Sequence, residues 1–313
     1  MNSFLGIDTS NYTTSAALYD TQNHRVRHVK KLLPVKEGEL GLRQSDAVFH
    51  HVQRLPELME TLMKEDRPCL GAVGASAFPR DAEGSYMPCF TVGLSQARTL
   101  SAALGVPVYR FSHQAGHIVA ALYSAGRLDL LQKRFLAFHI SGGTTEAMLS
   151  EPDSETILTV RTVARTLDLN AGQAVDRVGK LLGIPFPAGP GLEELALSYT
   201  APLKARPVLK GVDCCLSGLQ NQCEKLYKLG EEPAKIARYC LTFLLNTLDA
   251  MCASLQKEYG ALPVVFAGGV MSNSIIREAL TKKYNAVFSA PEFSADNAAG
   301  VAILTAMKAG QYE

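Results

Sequence analysis

The seven cysteines, at positions 69, 89, 214, 215, 223, 240 and 252, include no CxxC pair. An odd count without that spacing favours neither a disulfide framework nor a thiolate zinc site, and a reducing, cytoplasmic setting is expected. No run reaches about 18 uninterrupted apolar residues, so no spanning helix and no membrane partner are expected. The opening MNSFLGIDTSNYTTS lacks a basic stretch ahead of an apolar one and does not read as a signal peptide. An excess of one charge is missing too. Lys and Arg number 31 against 30 Asp and Glu, a formal charge of +1. That excludes a protein whose whole surface grips nucleic acid and leaves room for a local basic patch. Ser/Gly linkers and low-complexity tracts are also absent.

What is present is an ordinary globular composition, 47% hydrophobic and 19% charged over 313 residues, which suits two lobes with a sizeable core. Phe4 to Ile7 reads as a strand running into the turn Asp8-Thr9-Ser10-Asn11, and Thr13 to Tyr19 as its hairpin partner. The pattern returns about 130 residues later: Phe135 to Ile140, the turn Ser141-Gly142-Gly143-Thr144-Thr145, then Glu146 to Ser150. That distance is too long for a solenoid repeat and implies a duplicated domain. His50 to Lys64 has a helical period, with Val52, Leu55, Leu58, Leu62 and Met63 on one side. Strands are expected at Leu70 to Ala77, Val106 to Tyr109 and Pro263 to Phe266, and helices at Thr91 to Leu104, Ala174 to Leu182 and Ile236 to Gly260. Strands alternating with helices define an α/β protein.

Three turns carry candidate chemistry. Small residues let a phosphate approach the backbone N–H groups, so the first turn, Asp8 to Asn11 with Ser10 and Asn11, and the second, Ser141 to Thr145, are candidate anion cradles. The third is Gly268-Gly269, with Asn273 at the start of the next helix, suited to a ribose or purine edge. Any one of them alone is equally an ordinary turn. His113 and His117 have the HxxxH spacing, which on a helix places both imidazoles on one face where they can share a metal. An isolated pair is also compatible with surface or capping histidines. Asp296 serves as a third ligand or as the N-cap of the last helix. Two imidazoles and a carboxylate suit iron or zinc alike. Asp176 either accepts from a ribose or amine, or pairs with Arg177 or Lys180. Cys214 and Cys215 read as packing residues. The basic runs at Arg25 to Lys31 and Lys204 to Lys210 are solvated faces or RNA contacts.

Together these residues resemble the TsaD/Gcp family, the tRNA threonylcarbamoyladenosine synthases once labelled O-sialoglycoprotein endopeptidases (peptidase M22), along nearly the whole chain. LGIDTS is similar to the family's LGIETS, HQAGH to HxEGH, and HISGGTT to VSGGHT. GQAVDRVGKLLGIPFPAGP is similar to GEAFDKxAKLLGLxYPGGP, CLSGLQ to FSGLK, AGGVMSN to AGGVxAN, and FSADNAAGVA to CTDNGAMIA. The resemblance implies an actin-like ATPase (ASKHA) fold: two lobes, each with a ribonuclease-H-like core, around a nucleotide cleft. The lobes would be 1–110, joined by the C-terminal helix 297–313, and 111–296. It implies His113, His117 and Asp296 as ligands of one divalent iron or zinc ion. His139, Ile140, Ser141, Gly142, Gly143, Asp176, Gly189 and Asn273 would contact an adenine nucleotide, whether ATP, AMP or threonylcarbamoyl-AMP. The implied reaction is transfer of threonylcarbamoyl to N6 of the adenosine beside the anticodon, with tRNA as partner. A TsaB- or TsaE-like protein, or a second copy, would meet the N-terminal lobe.

The chain also departs from the family. Asn11, Tyr12 and Thr13 stand where the family usually has Cys and two acids. Ser76 to Arg80 replaces a GPGL loop, Thr144 a histidine and Gln173 a glutamate. These departures define a divergent member, with a non-catalytic nucleotide-binding paralogue or partner subunit as the alternative. Proteolysis of the HExxH type is disfavoured, because Gln114 follows His113 where that chemistry needs Glu.

Overall fold

The computed structural model describes residues 3–10, 12–34, 42–64 and 68–311. Strands β1 (Ser3–Ser10) and β2 (Thr13–Asp20) form the first expected hairpin, paired antiparallel from Ser3↔Asp20 to Ser10↔Thr13. The basic run is a third strand, β3 (Arg25–Leu32), at the edge of the same sheet. Next come α1 (Gln44–Leu62), β4 (Leu70–Phe78), α2 (Phe90–Leu104), β5 (Val108–Ser112) and α3 (His113–Ser124). The sheet order is β3-β2-β1-β4-β5, with β1, β4 and β5 parallel.

The second hairpin is β6 (Phe135–Ile140) and β7 (Thr145–Asp153), followed by β8 (Ile157–Arg165). Helices α4 (Ala171–Leu181) and α5 (Gly189–Leu197) lead to the short strands β9 (Leu209–Lys210) and β10 (Asp213–Cys214). Then come α6 (Ser217–Lys228), α7 (Pro233–Tyr259), β11 (Val264–Ala267), α8 (Ser274–Tyr284), β12 (Val287–Phe288) and α9 (Ala299–Lys308). The second sheet runs β8-β7-β6-β11-β12, with β6 antiparallel to β7 and parallel to β11. Position for position this repeats the first sheet, which is the duplication the two hairpins imply.

The chain divides into two compact units. One is Met1–Lys133 with Glu151–Arg161 and Glu292–Glu313; the other is Arg134–Ser150 with Thr162–Pro291. The expected boundary at 110/111 falls inside β5, and α3 and Asp296 lie in the first unit rather than in a 111–296 lobe. Backbone contact explains the difference. A Cβ on Gly300 would fall on the Gly116 carbonyl oxygen, so α3 and α9 touch main chain to main chain. α9 in turn lies against β1, where a Cβ on Gly6 would collide with the Ala302 backbone.

Period two on β1 sorts its residues. Leu5 and Ile7 pack with Leu55 and Leu62 of α1 and Val92 and Ala97 of α2. Gly6, on the alternate face, meets α9. Asp8 and Ser10 share the phase of Gly6 and emerge beside α3 and Asp296. The stripe expected on α1 needs one correction. Val52 is 57% exposed, and the buried positions are Ala47, His51, Leu55, Leu58 and Leu62. His51 is fully buried with Nδ1 2.8 Å from the Thr14 hydroxyl. A polar residue therefore holds the place that hydropathy gave to its neighbour.

Candidate functional site

In the first unit, α3 starts at His113, and the Ser112 hydroxyl caps it by accepting from the Ala115 N–H at 3.1 Å. The next turn brings His117 onto the same face. The two Nε2 atoms are 3.0 Å apart, and Asp296 Oδ1 lies 2.9 Å from His117 Nε2 and 3.7 Å from His113 Nε2. One donor atom from each residue falls within 4.8 Å of the others. Asp296 is therefore not the cap of α9. The N-cap position is Ala298, and Asn297 Oδ1 accepts from the N–H of Ala299, the first residue of the helix, at 3.0 Å.

A buried carboxylate backs this cluster. Asp8, 1% exposed, sits with Oδ2 2.6 Å from His113 Nδ1 and accepts the Ser76 hydroxyl at 2.6 Å. Its Oδ1 accepts the Ser10 N–H at 2.8 Å. Burial pushes the Asp8 carboxyl up, but the His113 charge and the hydrogen bonds from His113 and Ser76 outweigh it and hold the group below its ordinary value. Burial pulls His113 down, and the Asp8 charge and hydrogen bond, with Asp296, raise it to about 9. With its Nδ1 side committed to Asp8, the ring turns Nε2 toward His117 and Asp296. That is the carboxylate–histidine arrangement common behind metal ligands, and the donor set fits a divalent ion.

Ser10 and Thr13 both donate to Asp296 Oδ2, each at 3.3 Å. Ser10 is thus occupied within the first unit, and Asn11 lies outside the described residues. The sequence offered Asp8 only as part of a phosphate turn and gave Thr13 and Ser76 no site role. Their partners are remote in the chain, and only the strand phase of Asp8 hints at its role.

The Ser141–Thr145 turn of the second unit is bound to the start of α4. The Ser141 N–H donates to Thr144 O at 2.7 Å, and the Thr144 N–H to the Ser141 hydroxyl at 3.1 Å. Asn170 Nδ2 reaches Gly143 O at 3.0 Å, and the Ala171 N–H donates to the Thr145 hydroxyl at 2.8 Å. A Cβ on Gly172 would lie 2.6 Å from Gly142 N, so only glycine lets α4 sit this close to the turn. Gln173 completes a capping box, accepting the Asn170 N–H, a task that Glu or Gln performs equally. Gly142 and Gly143 are exposed. Ile140 is fully buried and His139 half-buried, so a ligand beside Ile140 meets its main chain.

Asp176 accepts the Ala188 N–H at 3.0 Å and so ties the loop before α5 to α4, while Arg177 donates to Gln220. Gly189 opens α5. Asn273 caps α8, its Oδ1 accepting from the Ile276 N–H at 3.1 Å. Asp168 caps α6 by accepting from the Leu216 and Ser217 N–H groups at 2.7 and 3.1 Å. Cys214 is fully buried, and burial pushes its thiol up to about 11, which agrees with packing rather than reactivity. All seven cysteines are free. Of the basic strand, Lys31 pairs with Glu57 at 3.5 Å and Lys30 donates to Glu292 O at 3.0 Å. Among the described residues no helix is long and apolar enough to cross a membrane.

Solved structures share this architecture. Component A of (R)-2-hydroxyglutaryl-CoA dehydratase from Acidaminococcus fermentans has a TM-score of 0.55 at 15% identity, over 99% of this chain and 100% of that one. Full-length HypF in its phosphate- and nucleotide-bound form has a TM-score of 0.59 at 14% identity, over 100% of this chain and 47% of that one. The fold is that of the actin-like ATPases, here carrying a cluster of two histidines and a carboxylate. The family model described as TsaD: tRNA N6-adenosine threonylcarbamoyltransferase matches residues 36–303. A Herminiimonas arsenicoxydans protein named tRNA N6-adenosine threonylcarbamoyltransferase is 30% identical, over 97% of this chain and 91% of its own. The chain belongs to the TsaD family.

Proposed function

We propose that this chain transfers the threonylcarbamoyl group of threonylcarbamoyl-AMP to N6 of the adenosine beside the anticodon of a tRNA. The observation that carries this reading is the convergence of His113 Nε2, His117 Nε2 and Asp296 on one point, in a chain matched by the family over residues 36–303. A bound iron or zinc ion would supply Lewis-acid chemistry at this cluster. His113, His117 and Asp296 would hold that ion, with Asp8 fixing the orientation of His113.

The adenylate falls to the second unit. Exposed Gly142 and Gly143, in the turn packed against the start of α4, offer main-chain donors to the phosphate, with Ser141 shaping the turn. His139, the Ile140 main chain, Asp176, Gly189 and Asn273 would contact the nucleoside and acyl portions. N6 attacks the carbamoyl carbon, the bond from that carbon to the phosphate oxygen breaks, and AMP departs with the electron pair. The freed phosphate oxygen can take the amine proton, so no protein nucleophile or strong base is required. Positioning is then the main contribution of the chain.

The tRNA would meet exposed basic residues such as Arg25 and Lys31 in one unit and Lys204 and Arg206 in the other. A partner of the TsaB or TsaE type, or a second copy, would dock on the N-terminal lobe, where Phe49 and Val52 of α1 are 58% and 57% exposed. The setting expected for this chemistry is cytoplasmic.

The test is tRNA-dependent release of AMP. Metal-loaded protein given threonylcarbamoyl-AMP should release AMP faster when a tRNA reading ANN codons is added, and His117→Ala should abolish the difference. Release unaffected by tRNA would contradict the reading.

A further inference from the structure

We propose that Ser10 and Thr13 are positioning residues of the metal centre, holding one oxygen of Asp296 so that the other alone faces His113 and His117. The proposal rests on the metal reading above and concerns residues to which that reading gives no such role.

The two oxygens of Asp296 have different neighbours. Oδ1 faces the imidazoles, at 2.9 Å from His117 Nε2, while Oδ2 accepts both hydroxyls at 3.3 Å. A carboxylate free to rotate can offer either oxygen or both; two donors on one side fix which is offered. The donors are themselves held. Ser10 and Thr13 are the last pair of the β1–β2 ladder and each is 3% exposed. Immediately beyond, Thr14 points to the other face and is bonded to buried His51 of α1 at 2.8 Å. The turn is therefore anchored from both sides of the sheet.

This arrangement gives the departure at position 13 a physical meaning. A carboxylate there would bring a third negative charge toward Asp8 and Asp296. The threonine hydroxyl donates where an acid would repel. What looks in the sequence like a lost acid is, in space, a gained hydrogen-bond donor for a metal ligand.

Cobalt(II) titration of the full-length protein tests this, read by visible absorption for both affinity and ligand geometry. Thr13→Val keeps the shape and removes the hydroxyl, Ser10→Ala removes the other, and Thr13→Ser returns a hydroxyl. We expect Thr13→Val and Ser10→Ala each to weaken cobalt binding about 10-fold, and the pair about 100-fold, with a changed absorption band. Thr13→Ser should restore both affinity and band. Variants that match wild type in both readouts would overturn the proposal, as would Thr13→Ser failing alongside Thr13→Val. A wild-type protein that binds no cobalt would overturn the metal reading itself, and this proposal with it.

Discussion

Asp8 shows how much a single buried residue can decide. It is 1% exposed and 2.6 Å from His113 Nδ1, so its removal would leave that ring without the acceptor that orients it. Asp8→Ala should weaken zinc binding about 10- to 100-fold, and Asp8→Asn less, since the amide oxygen still accepts; isothermal titration with zinc measures both. Equal affinity in all three proteins would remove Asp8 from the site. His51 makes a second prediction at this scale. Burial pulls its imidazole down to about 4, whereas an unfolded chain takes up that proton near pH 6.5. Between those values the unfolded state binds more protons, so the contribution to stability is full above pH 6.5 and is lost as pH falls to 4. The loss is about 3 kcal/mol. Denaturant unfolding at pH 7 and pH 4 should show that much less pH dependence in His51→Gln than in wild type. The same pH dependence in both would contradict it. The histidine pair was legible because a spacing of four is local and meets the helical period directly. Asp8 was not, because its partner is 105 residues away. His51 was hidden because hydropathy ranks Val52 above it.

Elements transmit these constraints through close backbone packing. Gly116 and Gly300 let α3 touch α9, and this crossing sets the histidines against Asp296, four residues before Gly300. Gly300→Ala should destabilise the protein by about 1–3 kcal/mol or more, as overpacking does, and weaken metal binding with it. In the second unit, Gly172→Ala would press on Gly142 N at 2.6 Å and distort the glycine turn. It should weaken AMP binding at least 10-fold, measured by titration calorimetry, while cobalt affinity stays unchanged, an order-of-magnitude expectation for a misplaced anion cradle. Loss of both ligands in Gly172→Ala, or of neither, would refute this assignment. Both hairpins were readable because β-branched and apolar runs flank small-residue turns. The start of α1 at Gln44 was not, since Gln44 to Phe49 carries little apolar periodicity. Strand β12, two residues long, has no period to read.

At the scale of the whole molecule, the repeated strand order, β3-β2-β1-β4-β5 and β8-β7-β6-β11-β12, records a duplication whose copies differ in what surrounds their turns. The first copy ends its opening hairpin in hydroxyls and a carboxylate bonded to Asp296 and His113. The second ends its hairpin in exposed glycines suited to a phosphate. Composition alone could not separate them, because the difference lies in what approaches each turn: α3 and Asp296 in one case, the start of α4 in the other. The near-zero net charge leaves RNA binding to local basic residues, so tRNA affinity should fall steeply with salt. Transfer to tRNA should survive the divergent turn at Tyr12 and Thr13. The most direct measurement is a single turnover of metal-loaded protein with threonylcarbamoyl-AMP and an ANN-reading tRNA, followed by mass spectrometry of the nucleosides. Wild type should yield threonylcarbamoyladenosine and His113→Ala or Asp296→Ala none; unmodified adenosine from a wild-type protein that binds both metal and adenylate would overturn the assignment.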